Sequence, residues 1–120
     1  MWAYEVTDGS RHRPAGYIGT YPSRAAAVEA RSRLCRSGGY IRRVSWEPTR
    51  EAVEALRNEA GAAGDLETAR DCDVVLDWRW SRDTLRAIGP WRGFGRPRAA
   101  ERRICEVIAD AAHAAGEPLP

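Results

Sequence analysis

Residues 2–46, WAYEVTDGSRHRPAGYIGTYPSRAAAVEARSRLCRSGGYIRRVSW, decide the fold, because their side-chain period switches from strand to helix and back. From Trp2 to Asp8 the chain alternates, with Trp2, Tyr4 and Val6 on one side and Ala3, Glu5 and Thr7 on the other. Asp8–Gly16 is turn material holding Arg11, His12 and Arg13, and GYIGTY over 16–21 reads as a second strand. The two strands are expected to pair as a hairpin with an eight- or nine-residue loop. Ser23 stands where a helix N-cap belongs, and the helix after it carries Ala27, Val28, Leu34 and Cys35 as its inward stripe. Gly38 is placed for a left-handed C-cap. YIRRVSW over 40–46 returns as a third strand, so the order is ββαβ.

Working outward, the chain turns helical. Pro48 and Thr49 open a helix with Val53, Leu56 and Ala60 along one face; Gly61 and Gly64 allow a turn, and Asp65 caps a second helix over 66–78. Leu66, Ala69, Cys72, Val75 and Leu76 are its inward residues, and the pair forms a helical hairpin. A short helix over 82–88 is expected before Gly89–Pro90. Pro97 suits the first turn of a final helix carrying Ile104, Cys105, Ile108, Ala111 and Ala112, after which GEPLP is expected to fray. The expected fold class is α+β: a three-stranded sheet with one packed helix, then a helical hairpin and a C-terminal helix. One domain is expected over 1–120, with the sheet block at 1–47 and a helical block at 48–120 that holds a tryptophan- and arginine-rich insert at 77–98.

Composition sharpens this. Ile, Leu, Val and Phe number only 19 of 120 residues, whereas alanine supplies 20, so the core is thin and leans on five tryptophans and four tyrosines. All 19 basic residues are arginine, a bias that GC-rich codon usage produces on its own but whose forked guanidinium groups bind phosphate and carboxylate bidentately. The charge falls in blocks: +5 over 1–46, −6 over 47–77, +6 over 78–103 and −3 over 104–120. Either these blocks cancel inside the fold or they steer partners from its surface. The three widely spaced cysteines, each expected on an apolar helix face, favour a reducing, cytoplasmic setting. The N-terminus has no basic head or apolar run of a signal peptide, and no stretch approaches the ~18 apolar residues of a membrane span.

Motifs for catalysis are scarce. His12 and His113 fall in different blocks and read as surface histidines, and the cysteines read as inward rather than nucleophilic. The glycine clusters lack phosphate-loop or dinucleotide spacing, so no catalytic residue, metal or cofactor is expected. Asp73 and Asp77 share a helix face with Asp71 pointing elsewhere, which reads as a solvated acidic surface.

Residues 77–98, DWRWSRDTLRAIGPWRGFGRPR, interleave Arg79, Arg82, Arg86, Arg92, Arg96 and Arg98 with Trp78, Trp80, Trp91 and Phe94. Trp80 continues the inward stripe, leaving Trp78 and Trp91 as candidates for exposure. Arginine beside aromatics suits nucleic-acid strands, protein interfaces and a purely structural loop alike.

The stretch 2–30 resembles the strand-strand-helix pattern of AP2-type DNA-binding domains and of the arm-type domains of phage integrases, through Trp2, Gly19, Thr20, Tyr21, Ala25, Ala26 and Glu29. That resemblance implies a small sheet laid into the major groove, with Arg11, Arg13 and Thr7 at the DNA. The pattern departs from the family in having a strand after the helix. The later segments LRNEAGAAGDLETARDC and CEVIADAAHAAG look like small uncharacterised proteins of actinobacterial phages and plasmids. The expected function is therefore non-enzymatic nucleic-acid binding, DNA foremost, by an accessory protein of a phage or mobile element. The site residues are Arg11, Arg13, Arg42 and Arg43 on the sheet block together with Trp78, Trp91 and the arginines of 79–98. The alternative is a protein-binding module or inhibitor that meets an acidic surface of a host or defence complex.

Overall fold

The computed structural model describes residues 1–80 and 96–120. These form a three-stranded antiparallel sheet and four helices, an α+β fold. They group into two compact units, 1–47 with 109–120, and 48–108.

In the first unit, β1 (Trp2–Gly9) lies between β2 (Pro14–Tyr21) and β3 (Tyr40–Ser45). Pairing runs to Gly9↔Pro14, so the hairpin closes over Ser10–Arg13 and is tighter than the long loop expected from sequence. Ser10 and Arg13 exchange backbone hydrogen bonds at 3.2 and 3.1 Å. Gly9 makes this closure possible: its φ is +86°, and a Cβ there would stand 2.4 Å from the Arg13 carbonyl oxygen.

Helix α1 (Arg24–Leu34) starts where the sequence signals it, with the Ser23 hydroxyl accepting from the Ala26 amide at 3.1 Å. Its inward face is Ala27 and Ala30, small enough to bring the helix close to the sheet. Val6, Tyr21, Ala27 and Ala30 form the buried cluster, with Tyr4, Ile18, Ala26, Cys35 and Ile41 packed against it. The expected stripe is corrected accordingly: Val28 is half-buried and Leu34 is exposed. Gly38 is not the helix cap either. The helix ends at Cys35 in extended conformation, and Gly38, at φ +96°, belongs to the loop beyond it.

The last residues do not fray. The Leu119 amide donates to the Thr20 carbonyl at 2.7 Å, and the Leu119 side chain is buried. A β2 edge with open carbonyls offers that bond, which the short tail sequence alone does not reveal.

In the second unit, α2 (Arg50–Ala63) is capped by Thr49, whose hydroxyl accepts from the Ala52 amide at 3.2 Å. It runs through Gly61 and stops at Gly64, whose φ of +77° lets its amide reach back to Ala60 and Gly61. Asp65 then accepts from the Thr68 amide and hydroxyl at 3.2 and 2.7 Å and starts α3 (Leu66–Trp80). Val53 and Ala60 on α2 are buried, as are Cys72 and Val75 on α3, the expected helical hairpin. Leu66, expected inside, is 70% exposed, because the turn leaves the first residue of α3 outside the stripe.

Helix α4 (Arg98–Ala115) follows Pro97, whose carbonyl accepts from the Glu101 amide. Ile104, Cys105, Ile108 and Ala112 are buried as its period requires, with Ala109 in place of the exposed Ala111. No helix among the described residues is long and apolar enough to cross a membrane. The expected helix over 82–88 and the Gly89–Pro90 bend lie outside the described residues.

Candidate nucleic-acid interface

Asp8 organises one end of the sheet unit. It sits at the end of β1, and its carboxylate accepts from the amides of Gly9 at 2.8 Å, Ser37 at 2.9 Å and Arg36 at 3.2 Å. The Gly39 amide donates to the Gly9 carbonyl at 2.9 Å. The Arg36, Ser37 and Gly39 bonds tie the α1–β3 loop to the hairpin turn. They bring Arg36 to the same end as Arg11, His12 and Arg13, all exposed. The amides of Ser37 and Arg36 hold the Asp8 carboxyl below the ordinary aspartate value, with the Arg36 charge helping. Among the described residues, no carboxylate forms an ion pair with Arg11, Arg13 or Arg36. Their side chains are exposed at this turn.

Beside this end the sheet has a distinctive face. β1 and β2 pair Val6 with Gly19 but Thr7 with Tyr17, so Ile18 is an extra residue in a bulge. Ile18 packs with the core, and Tyr17 and Thr20 lie together on the side away from α1, Thr20 buried and Tyr17 exposed. Their side-chain oxygens share a hydrogen bond at 2.7 Å. Thr7 pairs with Tyr17 on one flank and Tyr40 on the other. Thr7 itself is buried, against its implied place at the DNA, whereas Tyr17 is 63% exposed and Tyr40 half-buried. One row further along β1, Arg42 reaches Glu5 at 3.0 Å. On the α1 side, Arg43 lies over the ring of exposed Trp2 at 4.3 Å.

The arginines of the helical unit behave differently. Glu101, in the first turn of α4, is buried and receives two bonds from Arg96 at 2.7 and 2.9 Å and one from Arg79 at 2.8 Å. The Arg96 bonds are the main reason its carboxyl sits below the usual range; burial opposes them and Arg79 adds to them. Asp71, also buried, takes a bidentate fork from Arg103 at 2.6 and 2.9 Å, which raises the Arg103 pKa further. Arg57 pairs with Asp73, and Arg50 with Glu54 at 2.9 Å. Asp71 is thus not part of a solvated acidic surface but an anchor for α4. Sequence reading missed it, because an aspartate in a helix looks the same whether it faces water or a guanidinium on a distant helix.

Of the residues singled out from sequence, Arg11 and Arg13 stand exposed on the turn, Arg42 and Arg43 are engaged with Glu5 and Trp2, and Arg79 and Arg96 meet on Glu101. Arg98 is exposed at the start of α4, and Trp78 and Trp80 are half-buried. Arg82, Arg86, Trp91 and Arg92 lie outside the described residues. Arg36, which sequence reading did not select, joins Arg11 and Arg13 only because Asp8 reaches across to its amide.

Burial pushes the Cys72 thiol up to about 11, so it stays protonated near neutrality, and the Cys35 thiol is raised for the same reason. Cys35 stands in the loop after α1 instead of on a helix face. His113 lines a cavity of about 200 Å³ with Tyr21, Glu29 and Arg33, within the first unit. Among the described residues, no group of three or more His, Cys, Asp or Glu side chains is placed to hold a metal. Comparisons with protein-family models, with curated proteins and with solved structures find no match for this chain.

Proposed function

We propose that this chain is a nucleic-acid-binding protein that engages phosphates through the end of its sheet unit, with Arg11, Arg13 and Arg36 as the contacting groups. The observation that carries this reading is the contrast in pairing: these three guanidinium groups are exposed together, while those at 79, 96 and 103 are committed to buried carboxylates. Phosphate affinity comes from guanidinium charge that is free to displace counterions, and an arginine already clasped to a carboxylate contributes little.

A second reading, a protein-interaction module, draws on Trp2, which is 59% exposed beneath Arg43. Salt separates the two. Binding of labelled DNA or RNA through several phosphates weakens by orders of magnitude between about 50 and 200 mM salt, whereas a largely apolar protein contact changes little. Absence of any nucleic-acid binding at the lower salt overturns the first reading.

A further inference from the structure

From the sheet face beside the basic turn, and resting on the reading above, we infer that the form bound is single-stranded, with Tyr17 as the stacking platform for a base and Tyr40 as its neighbour. Three observations combine. Tyr17 is the most exposed aromatic side chain among the described residues, at 63%, at the bulge where Ile18 interrupts the β1–β2 register. Its hydroxyl is fastened to Thr20, and Thr7 is buried between it and Tyr40. The ring is therefore fixed before any partner arrives. Tyr17 also lies only three residues beyond Pro14, about 10 Å at the rise of a strand. A short stretch of one nucleic-acid chain therefore reaches from Arg11 and Arg13 to the tyrosine face.

The form of nucleic acid follows from where π-faces are available. In a duplex each base is covered above and below by its neighbours, so an exposed tyrosine finds nothing to stack on unless a pair is broken. In a single strand every base offers a face, and aromatic stacking next to a positive groove is the usual way to hold it. The sheet does not present the open surface that major-groove docking needs either: Ala3, Thr7 and Thr20, all on the side away from α1, are buried. The accessible row nearest the turn ends in tyrosines, and in the next row Arg42 is paired with Glu5.

The test measures binding of the full chain to fluorescent oligonucleotides of about 15 nucleotides by anisotropy at low salt: oligo-dT, oligo-U and a mixed-sequence duplex of the same length. The expected result is that either single strand binds at least about tenfold more tightly than the duplex. Tyr17→Ala is expected to weaken single-strand binding about tenfold and leave duplex binding within about twofold, while Tyr17→Phe, which keeps the π-face but loses the tie to Thr20, is expected to fall between the parent and Tyr17→Ala. Both variants are checked for unchanged unfolding midpoints, which the exposure of Tyr17 makes the expected outcome. A preference for oligo-U over oligo-dT assigns a role to the ribose hydroxyl, and equal affinity assigns the interaction to stacking and charge; both support the inference. Duplex binding as tight as single-strand binding, or a Tyr17→Ala variant that binds like the parent, overturns it while leaving the phosphate-binding turn standing. Failure of all three oligonucleotides to bind overturns that underlying reading as well.

Discussion

The two arginine-rich regions of this protein use the same side chain for opposite purposes. Around Glu101 and Asp71, arginines bridge helices: Arg79 on α3 and Arg96 before α4 meet on one buried carboxylate, and Arg103 on α4 forks onto another on α3. At the hairpin end, Asp8 is occupied by backbone amides, and among the described residues no carboxylate forms an ion pair with Arg11, Arg13 or Arg36. Density of arginine therefore does not locate a polyanion site. What locates it is whether the local carboxylates are satisfied by guanidinium groups or by the main chain.

That difference makes opposite demands on mutation. The largest effect is expected at Glu101. Replacing it by alanine removes the buried carboxylate on which Arg79, only 14% exposed, and Arg96 converge, and should lower stability by about 3 kcal/mol, read as a lower urea midpoint. Nucleic-acid affinity per folded molecule should not change. If Glu101→Ala unfolds normally but loses binding, the division between the two regions fails.

The converse variant, Arg11→Ala with Arg13→Ala, should lower affinity about tenfold and shift stability by no more than about 0.5 kcal/mol, since both side chains are exposed. Asp71→Asn comes next, at about 1 kcal/mol of stability: the aspartate is buried, but Arg103 is half exposed and can turn to water when the fork is lost. The smallest effect is the acid response of the turn. Asp8 has its pKa lowered on folding, so its tie is fully present above the unfolded value of 3.8 and is lost as pH falls through the lower folded value. The amide proton resonances of Arg36 and Ser37 should move together over that range, below pH 3.8, and those of the α1 core should not.

The local signals in the chain were legible where they act on their immediate neighbours. Ser23, Thr49 and Asp65 cap the helices they precede, Gly64 ends α2, and the alternation of 2–8 makes a strand. What could not be read is whatever depends on an element far along the chain. Asp71 and Glu101 look like surface acids until α3 and α4 are side by side; Leu119 looks like a loose end until the β2 edge is found. Leu34 and Leu66 were drawn into apolar stripes by residue type, yet each sits at a helix end where the packed face has run out. The candidate site was half visible. Arg11 and Arg13 stand out in the turn, but Arg36 joins them only through Asp8, and Tyr17 turns outward only because of the bulge at Ile18.

The central claim, that the open guanidinium groups at the hairpin end are the ones that meet phosphate, is tested most directly by the salt dependence of oligonucleotide binding for the parent and for the Arg11→Ala, Arg13→Ala variant. Each lost phosphate contact removes about 0.7 from the log–log slope for a single strand, so the variant should bind with a slope shallower by about 1.4. An identical slope in the two proteins would place the phosphates elsewhere and contradict the account.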